Sequence, residues 1–394
     1  MKKILIVGGG SAGWMSAAFF AAKKKYQVTL IESANVPIIG VGESTIPSIV
    51  DFLETIGVTE QDLFDHCSAV RKYSIQHNNW NGKNDTWWHH FCFDESEHEE
   101  QIQWMNNYTI PDKKWRWAYH LDAVKLGAVI RDKSAIPNGV IHVVDDVIHV
   151  ETSNKGVEYV ECVNGKHTAD LYIDCTGFKA LLREKLGVEY NHHPSIVNNY
   201  AVCGPGEYAE GEAPLPYTQT FRMECGWRWR ISLQHRTGNG YVFNSNNLSI
   251  EDAKNEFIAK TPGLLQDKIF VVPFRNGYNP KPWKKNVVCL GLSSGFLEPL
   301  EATGLFLAHG PAQLIDQLID DTMGSAKYNK IWSKLYKHVA DFLSLHYQSS
   351  EVENNDYWKQ FNKVDTVTLP KITQPIFNQY SYRNLARARG LSYS

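Results

Sequence analysis

Three features of the sequence predict an α/β fold, in which a Rossmann-like parallel sheet is joined to an antiparallel sheet and a helical region. Residues 4–7 are a short apolar run that ends in a glycine-rich turn and an alanine-rich stretch. Residues 218–243 alternate apolar and polar side chains with the period of two that a half-buried strand requires. Residues 323–370 carry apolar side chains at helical spacing.

Taken in order, residues 4–7 form a strand, a helix follows and ends near Lys23 to Lys25, and residues 28–31 form the next strand, closing with Glu32. The lysines suit the negative end of the helix dipole. After a loop containing GVGESTIP (40–47), residues 72–121 are dense in tryptophan, histidine and tyrosine and lack a clear period. They read as an insertion facing a ligand. A helix is expected over 118–131 and strands over 139–143, 156–163 and 171–175. Further on, Trp227, Trp229, Ile231 and Leu233 share one strand face and Arg228 and Arg230 the other, with TGNG (237–240) as the hairpin turn. Residues 287–290 return to the core, and a helix begins near Thr303 with a kink expected at Pro311. Ile331, Leu335, Phe342 and Leu345, with Trp332, Val339, His346 and Tyr347 nearby, mark the buried face of the helix after it.

The resulting organisation is one interleaved module over 1–370. Nucleotide-binding segments fall at about 1–50, 118–180 and 265–322, ligand-facing segments at about 60–117 and 190–264, and the helical region at 323–370. Residues 371–394 have too few apolar anchors to place and read as a tail.

Composition narrows the function. With 40 basic and 43 acidic side chains in 394 residues the net charge is −3, and no basic tract stands out, which argues against a nucleic-acid or stable membrane partner. The seven cysteines are scattered without a CxxC pair, as in a chain kept in the reducing cytoplasm. The apolar start runs straight into the glycine turn and so reads as a strand, and no segment reaches the roughly 18 apolar residues of a membrane span.

Gly8-Gly9-Gly10-Ser11-Ala12-Gly13 contains GxGxxG between a strand and a helix, with Glu32 at the end of the next strand. Gly8 permits the turn, Gly10 lets the backbone approach a pyrophosphate, and Gly13 lets helix and strand pack closely. The helix N-terminus stabilises phosphate, and Glu32 can accept from a ribose hydroxyl. A second glycine-rich return, NVVCLGLSSGFLEPLEATG (286–304), favours FAD over a nicotinamide cofactor. Its helix start at Thr303 and Gly304 can face an anion or a flavin edge.

At this point the chain resembles the flavin-dependent halogenases, the family of the tryptophan halogenases. The resemblance runs through GGGSAGW (8–14), GVGESTIP (40–47), KYSIQHNNW (72–80), AYHLDA (118–123), DLYIDCTGF (170–178), GWRWRIS (226–232) and GFLEPLEATG (295–304). It implies an enzyme that uses FADH2 from a separate reductase, with oxygen and halide as co-substrates. A hypohalous acid equivalent then passes through an internal tunnel to an electron-rich aromatic substrate, with chlorination, bromination or iodination as the outcome.

By motif position, Lys72 matches the family's essential lysine and Glu301 its partner acid, with Glu298 as the competing choice. Thr303 and Gly304 match the halide position. Gly42, Glu43, Ser44, Thr45 and Gly291 join Gly8, Gly10, Ser11, Ala12, Gly13 and Glu32 around the cofactor. His89 and Phe91 match pocket-lining positions, and Trp227 and Trp229 the tryptophans that wall off the flavin. Two positions depart from the family: Ser232 stands where WxWxIP has proline, and Ala302 where the tryptophan enzymes commonly have serine. The short C-terminal region predicts weak specificity for free tryptophan. Neither His89-His90 nor His98 with its neighbouring glutamates makes a coherent ligand framework, so no metal is expected. The competing readings are a flavin monooxygenase that hydroxylates its substrate, an oxidoreductase without oxygen transfer, and a noncatalytic flavin-binding interaction protein. Oligomeric state stays open, a dimer included.

Overall fold

The computed structural model describes residues 1–37, 43–82, 84–92, 96–97, 99–101, 115–187, 189–348, 355–361, 363–370 and 376–394. Apolar runs without alternation make its central sheet, because strands covered on both faces need no polar side. Strand Lys2–Val7 lies between Leu171–Asp174 and Tyr26–Glu32, all parallel; Ile141–Val144 extends one edge, and Val287–Cys289 with antiparallel Trp283–Lys284 the other. On one face, Ile4, Ile6, Val28 and Leu30 pack with helix Ser11–Ala22 and helices Gly304–Leu318 and Gly324–Gln348 in the main core. On the other, Leu5, Val7 and Tyr172 pack on Val150, Val157 and Val160 of a three-stranded antiparallel sheet.

The second large sheet has seven strands, mostly antiparallel. Helix Ile250–Lys260 covers one face through Ala253 and Phe257. From strand Gly226–Ser232, Trp227, Trp229 and Ile231 join the main core, so the expected apolar face points toward the nucleotide-binding half. Arg228 lies on the other side with its guanidinium 4.0 Å from the Phe221 ring centroid. Ser232 makes use of its hydroxyl, which accepts from the Leu215 N–H at 3.0 Å.

Four local expectations are corrected. Residues 118–121 are strand rather than helix: Ala118–Leu121 pairs on both sides, with Glu43–Ser44 and Val70–Lys72, and all four side chains are buried. The helix starts only at Ala123, where the Asp122 side chain accepts from Val124 and Lys125 N–H groups. TGNG is not a turn but the start of strand Thr237–Phe243; the chain reverses at 233–236, where Leu233 N–H donates to the Arg236 carbonyl. Gly240 is there because a Cβ atom would fall 2.1 Å from the Trp229 ring. Ile331 is exposed, and the buried face of its helix is carried by Tyr328, Trp332, Tyr336, Val339, Phe342 and Leu343. Helix Gly304–Leu318 continues through Pro311.

The fourth correction concerns the tail. Gln379–Ala388 is a helix capped by the Asn378 side chain, with Tyr382, Leu385 and Ala386 buried, and strand Ser392–Tyr393 pairs with Thr366–Val367. Among the described residues, no helix is long and apolar enough to cross a membrane.

Candidate active site

The glycine turn meets the geometric demands of a dinucleotide. At Gly8, φ is +115° and a Cβ would fall 2.3 Å from the Cys175 carbonyl oxygen; at Gly13 it would fall 1.8 Å from the Gly8 carbonyl oxygen. Those two glycines are required by the protein's own packing. Gly10 differs: a Cβ there meets nothing within 4 Å, so the space it leaves faces outward at the N-terminus of helix Ser11–Ala22, which has no side-chain cap. Free N–H groups beside open space fit a pyrophosphate. Glu32 is held by His142 Nε2 at 2.7 Å. The Ser11 hydroxyl donates to the Ala123 carbonyl, and a Cβ on Gly291 would strike the Ala12 methyl at 2.7 Å, so the second glycine return packs on the same helix start.

A similar opening lies at the start of helix Gly304–Leu318. Ala302, in the left-handed region at φ +57°, makes the corner that ends turn Pro299–Glu301. Gly304 again faces space, and the buried hydroxyls of Thr303 and Ser294 find no hydrogen-bond partner among the described residues. Orphaned buried hydroxyls beside unpaired helix N–H groups suit a cofactor edge or an anion.

GVGESTIP leads from the nucleotide turn to Lys72. Gly42 lies outside the described residues, and of Glu43 only the backbone, paired with Leu121, is described. The Thr45 hydroxyl exchanges hydrogen bonds with the Tyr119 backbone, while its carbonyl accepts from Lys72 Nζ at 3.0 Å. Thr45 therefore serves Lys72 directly. Ser44 Oγ lies 2.8 Å from Thr218 Oγ1, which is 2.8 Å from His120 Nε2. Burial, and then the charge of Lys72, hold His120 well below the usual histidine range. Lys72 itself is fully buried at the end of strand Val70–Lys72, with its ammonium 5.0 Å from the Phe91 ring centroid. Burial pushes its pKa down to about 7 against the opposing pull of Glu301.

Glu301 sits among three imidazoles. His89 Nδ1 is 2.7 Å from Oε2, His346 Nε2 is 2.9 Å from Oε1, and His77 Nε2 is 3.4 Å from Oε1. Burial alone would raise this carboxyl, but the charge of His89 and the contacts with His346, His77 and His89 hold it well below the usual carboxylate range. The far nitrogen of His89 meets Ser381 Oγ at 3.0 Å, so the helix near the C-terminus reaches the site.

Glu298 has a different setting. Asn198 and Trp227 donate to its carboxylate at 2.8 and 3.3 Å, and the Tyr347 hydroxyl donates as well. Burial pushes it up to about 7, against those hydrogen bonds. It ties the loop to strand and helix, and Lys72 feels the charge of Glu301 instead. Trp227 and Trp229 stand side by side, ring centroids 5.9 Å apart, in the core between the two sheets.

The structure thus gathers Lys72, Glu301, His89 and Phe91 into one buried region and adds His77, His346 and Ser381, which sequence reasoning did not assign to the site. A signal for His346 existed, since it falls on the apolar face of its helix, where a polar group needs a reason. His90 stacks on Trp88 with ring centroids 5.6 Å apart, and His98 lies outside the described residues.

A nucleotide-binding sheet with two open helix starts, joined to a second sheet and a buried lysine and glutamate, defines a dinucleotide-binding enzyme. Comparison with known proteins agrees. The family described as "Tryptophan halogenase" matches residues 3–109 and 95–388, and the chain belongs to that family. It is 31% identical over 432 residues to a 7-chloro-L-tryptophan 6-halogenase from Kutzneria sp., covering 93% of this chain and 82% of that one. Among solved structures it is similar to a flavin-dependent halogenase from Xanthomonas campestris (TM-score 0.91, 26% identity, 100% of this chain and 90% of that one). A second, from Brevundimonas sp. BAL3, gives a TM-score of 0.89 at 26% identity, covering 100% of this chain and 91% of the other. The protein is a flavin-dependent halogenase that uses FADH2 and acts on an aromatic substrate.

Proposed function

We propose that Lys72 and Glu301 are the reacting pair of this halogenase. The observation that carries the reading is their placement: two buried groups of opposite sign in one region, Lys72 bonded to the Thr45 carbonyl and Glu301 carried by turn Pro299–Glu301. Bound reduced FAD, with oxygen and halide, supplies a hypohalous acid equivalent. The Thr303 hydroxyl and the N–H of Gly304 hold the halide, and Trp227 and Trp229 keep the organic substrate away from the flavin. Lys72, as an ammonium anchored by the Thr45 carbonyl, donates to the hypohalous oxygen and orients the halogen. Glu301 receives the proton that the substrate carbon loses when its bond to halogen forms. His89 and Phe91 line the substrate side.

The substrate is an electron-rich aromatic such as an indole, phenol or pyrrole. A separate reductase supplies FADH2, and the cysteines, all free and buried among the described residues, suit the cytoplasm.

The test supplies reductase-generated FADH2, oxygen and separate chloride, bromide and iodide pools to an aromatic panel, with products read by mass spectrometry. Lys72→Ala abolishes halogenation and keeps FAD binding; Glu301→Gln slows it at least tenfold. Normal turnover by Lys72→Ala, with free hypohalous acid scavenged, refutes the assignment.

A further inference from the structure

His346 stands between two groups that accept. Its Nδ1 is 3.1 Å from the Phe342 carbonyl oxygen, so Nδ1 carries a proton. Its Nε2 is 2.9 Å from Glu301 Oε1. In the neutral ring that nitrogen bears a lone pair, as does the carboxylate oxygen. Two lone pairs at this distance need a positive centre, a proton or a metal ion, between them. His77 Nε2 also faces Oε1, at 3.4 Å; it is fully buried and has no hydrogen-bond partner among the described residues.

The three atoms lie within 4.8 Å of one another and come from separate elements: strand Ser74–Asn78, turn Pro299–Glu301 and helix Gly324–Gln348. Ligand atoms on a tetrahedral zinc ion stand roughly 3.3 Å apart, given zinc–ligand distances near 2.0–2.1 Å. The His77–Glu301 separation already has that value, and the His346–Glu301 separation needs to open by only about 0.4 Å. Outer partners are in place as well. The Phe342 carbonyl fixes the ligand-ready tautomer of His346, Thr220 Oγ1 lies 2.9 Å from His77 Nδ1, and His89 holds the other carboxylate oxygen.

We propose that His77 Nε2, His346 Nε2 and Glu301 Oε1 form a site for a divalent first-row transition ion, zinc above all, with one coordination position left open. Two imidazoles and one carboxylate suit zinc or cobalt better than magnesium or calcium, which take mostly oxygen donors. A bound ion occupies the oxygen that the halogenation reaction needs, so it inhibits reversibly; this consequence, unlike the binding, rests on the role proposed for Glu301.

The full-length protein, freed of metal by chelator and dialysis, is titrated with Zn2+ and, separately, Co2+. Bound ion is measured by elemental analysis after desalting, and cobalt by its visible spectrum. The expected result is one ion per chain and the intense visible bands of four-coordinate cobalt. Affinity falls at least tenfold in His77→Gln and in His346→Gln, each checked for folding by thermal melting and FAD binding. The wild-type cobalt spectrum decides even if a variant fails to fold. Absence of stoichiometric ion at micromolar free zinc, or undiminished affinity in both folded variants, overturns the site and leaves a proton between His346 and Glu301. Binding that leaves halogenation intact supports the site and removes Glu301 from the reaction; zinc inhibition relieved by chelator supports both.

Discussion

Replacing Ser381 by alanine removes one hydroxyl, far along the chain from Glu301, and is predicted to slow halogenation without touching the flavin. The hydroxyl meets His89 Nε2 at 3.0 Å, and the other nitrogen of that ring holds Glu301 Oε2 at 2.7 Å. Ser381→Ala leaves a buried imidazole nitrogen unpaired, at a cost of about 1–3 kcal/mol. His89 can relieve this only by turning, which releases the carboxylate. Carried into the barrier at about 1.4 kcal/mol per decade, that cost corresponds to a roughly 5- to 140-fold fall in kcat. The helix cap survives, because Asn378 accepts from the Ser381 backbone N–H. Steady-state halogenation with saturating reductase, beside an FAD titration, measures both quantities. Ser381→Thr, which keeps a hydroxyl, restores most of the rate. If Ser381→Ala melts lower yet turns over at the wild-type rate, the helix only closes the core and the reasoning fails.

The burial that pushes Lys72 down to about 7 gives a pH signature. The ammonium is present below that value, so kcat/KM falls as pH rises through about 7; Lys72→Arg, if it retains turnover, loses this limb because guanidinium stays charged. The same group makes the fold more stable over that rise, since above pH 7 the unfolded chain binds more protons at this lysine than the native one does, so a thermal melt separates lost activity from unfolding. Gly10→Val, entering open space, is predicted to leave the melting temperature near wild type and weaken FAD binding at least 100-fold by fluorescence titration. Gly13→Ala, meeting the Gly8 carbonyl oxygen at 1.8 Å, instead lowers stability by about 3 kcal/mol in a denaturant titration. Glu298→Gln sets an amide N–H against one of the donors from Asn198, Tyr347 or Trp227; a loss of about 2 kcal/mol is expected in the same assay.

The nucleotide turn was legible because its motif is local: Gly8 to Gly13 and Glu32 belong to one βαβ unit, with Gly8 and Gly13 required by close backbone approach and Gly10 facing open space. The error at 118–121 has a matching cause. A strand buried on all four side chains shows no alternation, and AYHL followed by the apolar 123–130 looks like one helix until Asp122 is recognised as its cap. Glycines misled at 237–240, where a turn reading competed with the requirement of a ring from the adjacent strand. His77, His346 and Ser381 were out of reach for another reason: with His89 they come from four elements spread over most of the chain, and only tertiary packing joins them around Glu301. Tyr382, Leu385 and Ala386 sit at helical spacing, but in ten residues that is too short a pattern to separate from a tail.

Gly240 and Trp229 are best regarded as one position divided between two strands. The indole fills the volume that a side chain at 240 would take, so neither residue can change size alone. Packing built this way is adjusted in pairs. A smaller ring at 229 leaves a void unless 240 gains a side chain, and any side chain at 240 requires a smaller ring at 229. Relatives with a larger or smaller ring at 229 are therefore expected to differ at both positions together, and a library that varies one should vary the other jointly.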